Sequence, residues 1–165
     1  MKTGISVKRD NPKGVGADRI VNLVAVNEIY GGPAVVIDYG TANTFDVLNE
    51  KSEFITGLIT PGISVCADAL TQRAAQLPKI EIKKPKSIIV KNTVGSIQAG
   101  LVLGHIGQTI YIIDQLKKEL NMPGYEGHCH RRSWQESLTP TVRISMFFDP
   151  VLTLKGLKIL YHKNK

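Results

Sequence analysis

The hydrophobic period of the chain changes sharply at Gly31-Gly32-Pro33, and that change limits what it can fold into. Before it, from Ala17 to Tyr30, Ile20, Leu23, Val24 and Ala25 recur at helical spacing, which predicts one amphipathic helix stopped by the two glycines and the proline. After it come short runs suited to strands: Ala34 to Asp38, rich in Val and Ile, then Thr44 to Leu48, then Phe54 to Thr60 beyond the turn residues Asn49-Glu50-Lys51-Ser52. Three consecutive strands with short links form an antiparallel meander. Pro61-Gly62 ends it, and Ser64 to Leu77 returns to a helical pattern through Val65, Ala69, Leu70 and Ala74.

The rest of the chain is mainly helical. Lys79 to Lys91 reads as extended, and Asn92 or Thr93 is the N-cap of a long helix running toward Leu120. Gly95, Gly100, Gly104 and Gly107 weaken such a helix unless they permit close packing. The spacing of Gly100 and Gly104 suits a closely apposed helix, for instance from a second subunit. Thr153 to His162 carries Leu154, Leu157, Ile159 and Leu160 and predicts a closing helix. The first ten residues have no strong period, and Asn11-Pro12 marks a turn.

A chain of 165 residues with 42% apolar content can bury one real core, which favours one domain or parts of two. No run approaches the roughly 18 consecutive apolar residues of a membrane span, and Met1-Lys2-Thr3-Gly4 leads into no hydrophobic signal core, so the expected location is the cytoplasm. Cys66 and Cys129 alone imply no disulfide framework. The formal charge of +7 raises the question of nucleic acid. Lys79, Lys83, Lys84, Lys86 and Lys91 alternate with Ile and Pro, however, with no aromatic residue on which a base could stack, so a solvated connecting segment is expected and a nucleic-acid partner is not.

Two short motifs carry possible chemistry. In Asp38-Tyr39-Gly40-Thr41-Ala42-Asn43-Thr44, a glycine at a strand end lets a phosphate approach the backbone, Thr41 and Thr44 can donate to phosphate oxygens, and Asp38 can hold a cation. The same residues also suit an ordinary hairpin, with Gly40 and Asn43 serving turn geometry. In Gly16-Ala17-Asp18-Arg19, Asp18 could accept a proton from a substrate hydroxyl while Arg19 pairs with a substrate anion. Alternatively, Asp18 only favours the helix dipole. Spacing alone leaves both pairs of readings open.

Read together, the blocks become specific. Asn11-Pro12, Val15-Gly16-Ala17-Asp18-Arg19-Ile20-Val21-Asn22, Gly32-Pro33-Ala34, Asp38-Tyr39-Gly40-Thr41 and Thr44-Phe45-Asp46 resemble the type III pantothenate kinase family in order and spacing. So do Pro61-Gly62-Ile63, Leu77-Pro78, Lys91-Asn92-Thr93, Asp149-Pro150, Leu152-Thr153-Leu154 and Gly156-Leu157. The resemblance implies an α/β fold of the actin-like, ribonuclease H-like class: a mixed sheet with a three-stranded antiparallel meander and flanking helices. Residues 1–32 would be the remnant of a first domain with its connecting helix, and 33–165 the second domain. It also implies transfer of the terminal phosphate of ATP to the pantothenate hydroxyl, the first step toward coenzyme A, by a homodimer using Mg2+ and a monovalent cation, K+ or NH4+. Carried over by position, Asp18 resembles the general base, and Gly16, Ala17, Asp18 itself, Arg19 and Thr93 resemble pantothenate contacts. Gly40 and Thr41 resemble ATP contacts, and Asp38 the monovalent-cation ligand.

The chain departs from the family pattern in three places. Arg9 stands where the family usually has Tyr. The family's initial strand with its Asp-x-Gly-Asn-Thr phosphate motif does not precede Met1, which implies an internal start or a truncated gene. Residues 125–148 are atypical, with His128, Cys129, His130, Arg131, Arg132 and Trp134 breaking every pattern. Adjacent His128-Cys129-His130 is a weak metal motif, because neighbouring side chains point apart. A reading-frame error explains the segment better: codons for Tyr125 to Gln135 read one base later admit Met-Lys-Val-Ile-Ala-Thr-Gly-Gly-Leu-Gly-Lys, which resembles the family's next strand and adenosine-binding turn. A different functional class also fits, that of a non-catalytic regulator, because the family includes Bvg accessory factors described as transcription activators.

Overall fold

The computed structural model describes residues 1–121, 126–130 and 146–165, with 126–130 and 146–147 described through their backbone alone. The period change at Gly31-Gly32-Pro33 is the junction between α1 (Ala17–Ile29) and the meander β2 (Ala34–Tyr39), β3 (Ala42–Leu48) and β4 (Glu53–Pro61). β3 pairs antiparallel with both neighbours, Ile37 opposite Phe45 and Phe45 opposite Leu58. The strand β1 (Ser6–Val7) joins the far edge, parallel to β4. Its two residues are too short a run to show a period, so it is not legible from sequence pattern.

Beyond the meander the chain forms α2 (Ile63–Arg73), α3 (Thr93–Glu119), β5 (Glu126–His130), β6 (Met146–Phe148) and α4 (Leu152–Lys163). β5 lies parallel to β2, and β6 parallel to β5, giving the sheet order β1-β4-β3-β2-β5-β6. A meander whose first strand continues sideways into parallel strands is the ribonuclease H-like arrangement of an actin-like domain. The expected α/β class is therefore the observed one. The side chains of the His128-Cys129-His130 stretch, and residues 131–145 on which much of the reading-frame explanation depends, lie outside the described residues.

Alternation along the strands sends neighbouring residues to opposite faces. Ala34, Val36, Leu48 and Phe54 face α1 and α4, while Val35, Ile37, Phe45 and Val47 face Ile113 of α3. The sheet is thus covered on both sides. α1 was expected to be amphipathic, yet Val21 through Val26 are all buried, because α4 packs against it as well as the sheet. A helix enclosed on two sides has no broad solvent face in its middle. Residues 1–32 accordingly share one sheet and one core with the remainder: Ile5, Val24 and Leu152 belong to the same cluster.

α3 begins as expected, with Asn92 Oδ1 accepting the Gly95 N–H at 2.8 Å. Gly100, Gly104 and Gly107 have nothing within 4 Å of where a Cβ would stand, so no described element of this chain packs closely on them. By length and composition α3 could cross a membrane, with a mean hydropathy of 1.2 over its most apolar window. Its buried residues Val102, Ile106, Thr109 and Ile113 nonetheless recur along one face, which packs on α2 and the sheet as a core helix does. α2 ends at Arg73 instead of near Leu77. Only Ile63 of α2 is buried, so little packing holds its last turn.

Candidate functional site

The first turn of α1 lies beside the middle of the meander. Gly16 is the N-cap of the helix, Ala17 its first residue, and Asp18 the one acidic group in its first turn, all three with solvent access. Arg19, the next residue, turns inward. Its Nε donates to both carboxylate oxygens of Asp46 at 3.0 Å, and its Nη2 also bonds Asp46 Oδ1. The sequence reading gave Arg19 a substrate anion as partner; the structure gives it a carboxylate of β3.

The pair is well enclosed, the Arg19 side chain 12% exposed and Asp46 only 2%. Hydrogen bonding to Asp46 raises the Arg19 pKa against the opposing effect of burial, and the Asp18 charge adds to the rise. Burial pushes the Asp46 carboxyl upward, while Arg19 works against that. We take the pair as ionised, because arginine stays charged at any accessible pH and a neutral Asp46 would leave that cation buried without its counter-charge.

One turn further along α1, Asn22 is 2% exposed, with Nδ2 3.5 Å from Asp38 Oδ2 at the end of β2. The β2–β3 turn follows, in which the Gly40 N–H bonds the Ala42 carbonyl at 3.2 Å and the Gly62 N–H bonds the Thr41 carbonyl at 2.8 Å. Thr41 is exposed at this turn. Helix α1 therefore brings Gly16 through Arg19 to the same side of the meander as Asp38. Thr93 stands apart: it opens α3 in the other layer, about 18 Å further along the helix axis than His105, whose Nε2 lies 3.4 Å from the Pro61 carbonyl.

Next to Arg19, a cavity of about 560 Å³ is lined by Lys8, Arg9, Asp10, Val15, Ile55 and Arg19 itself, among others. Arg9 Nη1 lies 3.5 Å from both Thr56 Oγ1 and the Gly57 carbonyl. The Phe54 ring is flanked by both arginines, at 5.7 Å from Arg9 and 5.4 Å from Arg19. Such a wall suits an anionic or polar ligand.

The family model for type III pantothenate kinase matches residues 1–115, the stretch carrying α1, the meander and most of α3. The chain belongs to the type III pantothenate kinase family. It is 47% identical over 164 residues to the type III pantothenate kinase of Moorella thermoacetica, an alignment covering 99% of this chain and 64% of that protein. The type III pantothenate kinase pattern is thus present over nearly the whole chain, while the chain spans under two thirds of that relative's length. Among solved structures, a Baf family transcriptional activator from Campylobacter jejuni superposes with a TM-score of 0.61 at 21% identity, over 93% of this chain and 66% of that one. At that identity the likeness concerns the fold.

Sequence reasoning passed over three residues of this site. Asp46 and Asn22 stood in the matching blocks with no role given them, yet a carboxylate between Phe45 and Val47 and an amide between Val21 and Leu23 are polar groups in apolar runs. That contrast was a usable signal, because buried polar groups need partners. Gly57 gave no such signal, since a glycine within a strand has several readings.

Proposed function

We propose that this chain carries the pantothenate-binding side of an ATP-dependent pantothenate kinase, acting at the first step of coenzyme A synthesis. The observation that carries the reading is the start of α1, where Asp18 stands exposed beside the enclosed Arg19–Asp46 pair while Asn22 of the same helix meets Asp38. Family membership supports it over residues 1–115.

In this reading the pantothenate hydroxyl gives its proton to Asp18 as its oxygen forms a bond to the γ-phosphorus of ATP; the bond to the β–γ bridging oxygen breaks, and ADP leaves. Gly16, Ala17 and Arg19 hold pantothenate; Thr93, which lies in the other layer of this chain, joins them where α3 of a second copy carries it to the pocket. Gly40 and Thr41 hold ATP at the β2–β3 turn.

Asp38 places a carboxylate at a strand end, and hard oxygen ligands of this kind suit a cation such as K+ or NH4+. Mg2+ would be held mainly by the nucleotide phosphates, as is usual where this ion serves phosphoryl transfer. When bound, these cations supply neutralisation of the charge on the transferring phosphoryl group. A homodimer in the cytoplasm completes the reading.

The test is ADP release that depends on both ATP and pantothenate, with K+ present, beside a DNA titration across salt concentration. Joint dependence on both substrates is the expected result. Salt-sensitive DNA binding without ADP release would replace this reading with that of a non-catalytic regulator.

A further inference from the structure

Asp46 sits in mid-strand, opposite Val36 on one side and Gly57 on the other. A carboxylate there has no access to water, being 2% exposed, and its charge is met by Arg19 reaching down from α1. A Cβ at position 57 would overlap Arg19 Nη2 and stand 2.5 Å from Asp46 Oδ1. With the pair where it stands, only glycine fits; a larger residue would displace the guanidinium. Residues of three elements, α1, β3 and β4, are therefore fitted to one another around two charges.

Stability alone is a poor reason for this arrangement, since apolar residues of similar volume commonly replace a buried ion pair without loss. What a two-point carboxylate contact does supply is orientation, because it fixes the plane of the guanidinium. That plane lies over Phe54 and forms part of the cavity wall. Asp46 takes Nε and Nη2, while Nη1 makes no hydrogen bond among the described residues and remains available to a ligand.

We infer that Asp46 is a positioning residue for the pantothenate pocket. It acts through Arg19, whose guanidinium it holds at the cavity wall, and through the same contact it fixes the first turn of α1 that carries Asp18. Gly57 is the gap that admits the pair. The inference rests on the functional reading above and adds two residues to it.

The experiment compares the whole chain with Asp46→Asn, Gly57→Ala and Arg19→Lys, measuring pantothenate and ATP binding by calorimetry and folding by thermal melts. Asp46→Asn is expected to raise the pantothenate Kd about tenfold or more and leave the ATP Kd unchanged. Gly57→Ala keeps both charges but wedges them apart, and a shift in the same direction is expected. A lowered melting temperature with an unchanged pantothenate Kd would make the pair scaffold only and overturn the inference. If Asp46→Asn does not fold, the other two variants are judged by the same criterion. Failure of the parent reading looks different, because the wild-type chain itself would then give no heat with pantothenate. In that event the pinning is read from the 15N-labelled Arg19 Nε–H, expected to be protected from water exchange in the wild type and to lose protection in Asp46→Asn. Equal exchange in both would overturn it.

Discussion

The Thr153 hydroxyl, in the first turn of α4, donates to Asn22 Oδ1 of α1 at 2.8 Å, and this bond decides which way the Asn22 amide faces. With Oδ1 accepting, Nδ2 is turned to Asp38 at 3.5 Å. Two residues 131 positions apart thus connect the closing helix to the end of β2. Thr153→Val keeps the shape and removes the donor, leaving a buried acceptor without it. The expected loss is about 1–3 kcal/mol in urea denaturation. An unchanged midpoint would show that the bond adds nothing to stability.

The α1–α4 contact is close enough to require glycine. A Cβ at position 156 would overlap the Val21 carbonyl oxygen and stand 2.7 Å from Val21 Cγ1. Gly156→Ala should force the two helices apart at a cost of about 1–3 kcal/mol, despite the better helix propensity of alanine. Thermal denaturation measures this directly, and a raised Tm would contradict the packing.

At the other end of α1, Asp149 accepts from Tyr30 at 2.9 Å, Lys155 at 2.7 Å and the Val151 N–H at 3.1 Å. Burial works against its charge, but these donors outweigh that and hold its pKa below the ordinary 3.8. A lowered pKa gives stability that is complete above the unfolded value and is lost as pH falls through the folded one. Asp149→Asn should therefore destabilise the chain at neutral pH, and the gap between the two proteins should narrow as pH falls below 3.8. Parallel stability curves across that range would argue against an ionised Asp149 as the source.

Asp18→Asn removes the proposed base with almost no change of shape. In the active protein kcat should fall about 10²–10⁴-fold while the pantothenate Kd stays within about threefold. Steady-state kinetics with calorimetry separate the two effects, and retained turnover would remove Asp18 from the base role.

Much of this molecule was legible from local pattern. The α1, β2, β3 and β4 segments, the Asn92 cap of α3 and the closing helix follow from period and turn residues, because each depends on neighbours within one or two turns of chain. The ordered blocks from Asn11 to Gly156 likewise pointed to the type III pantothenate kinase family without any contact being known. Tertiary structure alone decided the partners. Arg19 meets Asp46 from 27 positions away, Asn22 meets Thr153 from 131, and Thr93 falls in a different layer from Asp18. The physical reason is that a periodicity records which face of an element avoids water, whereas the group that satisfies a buried charge or amide depends on how separate elements stack.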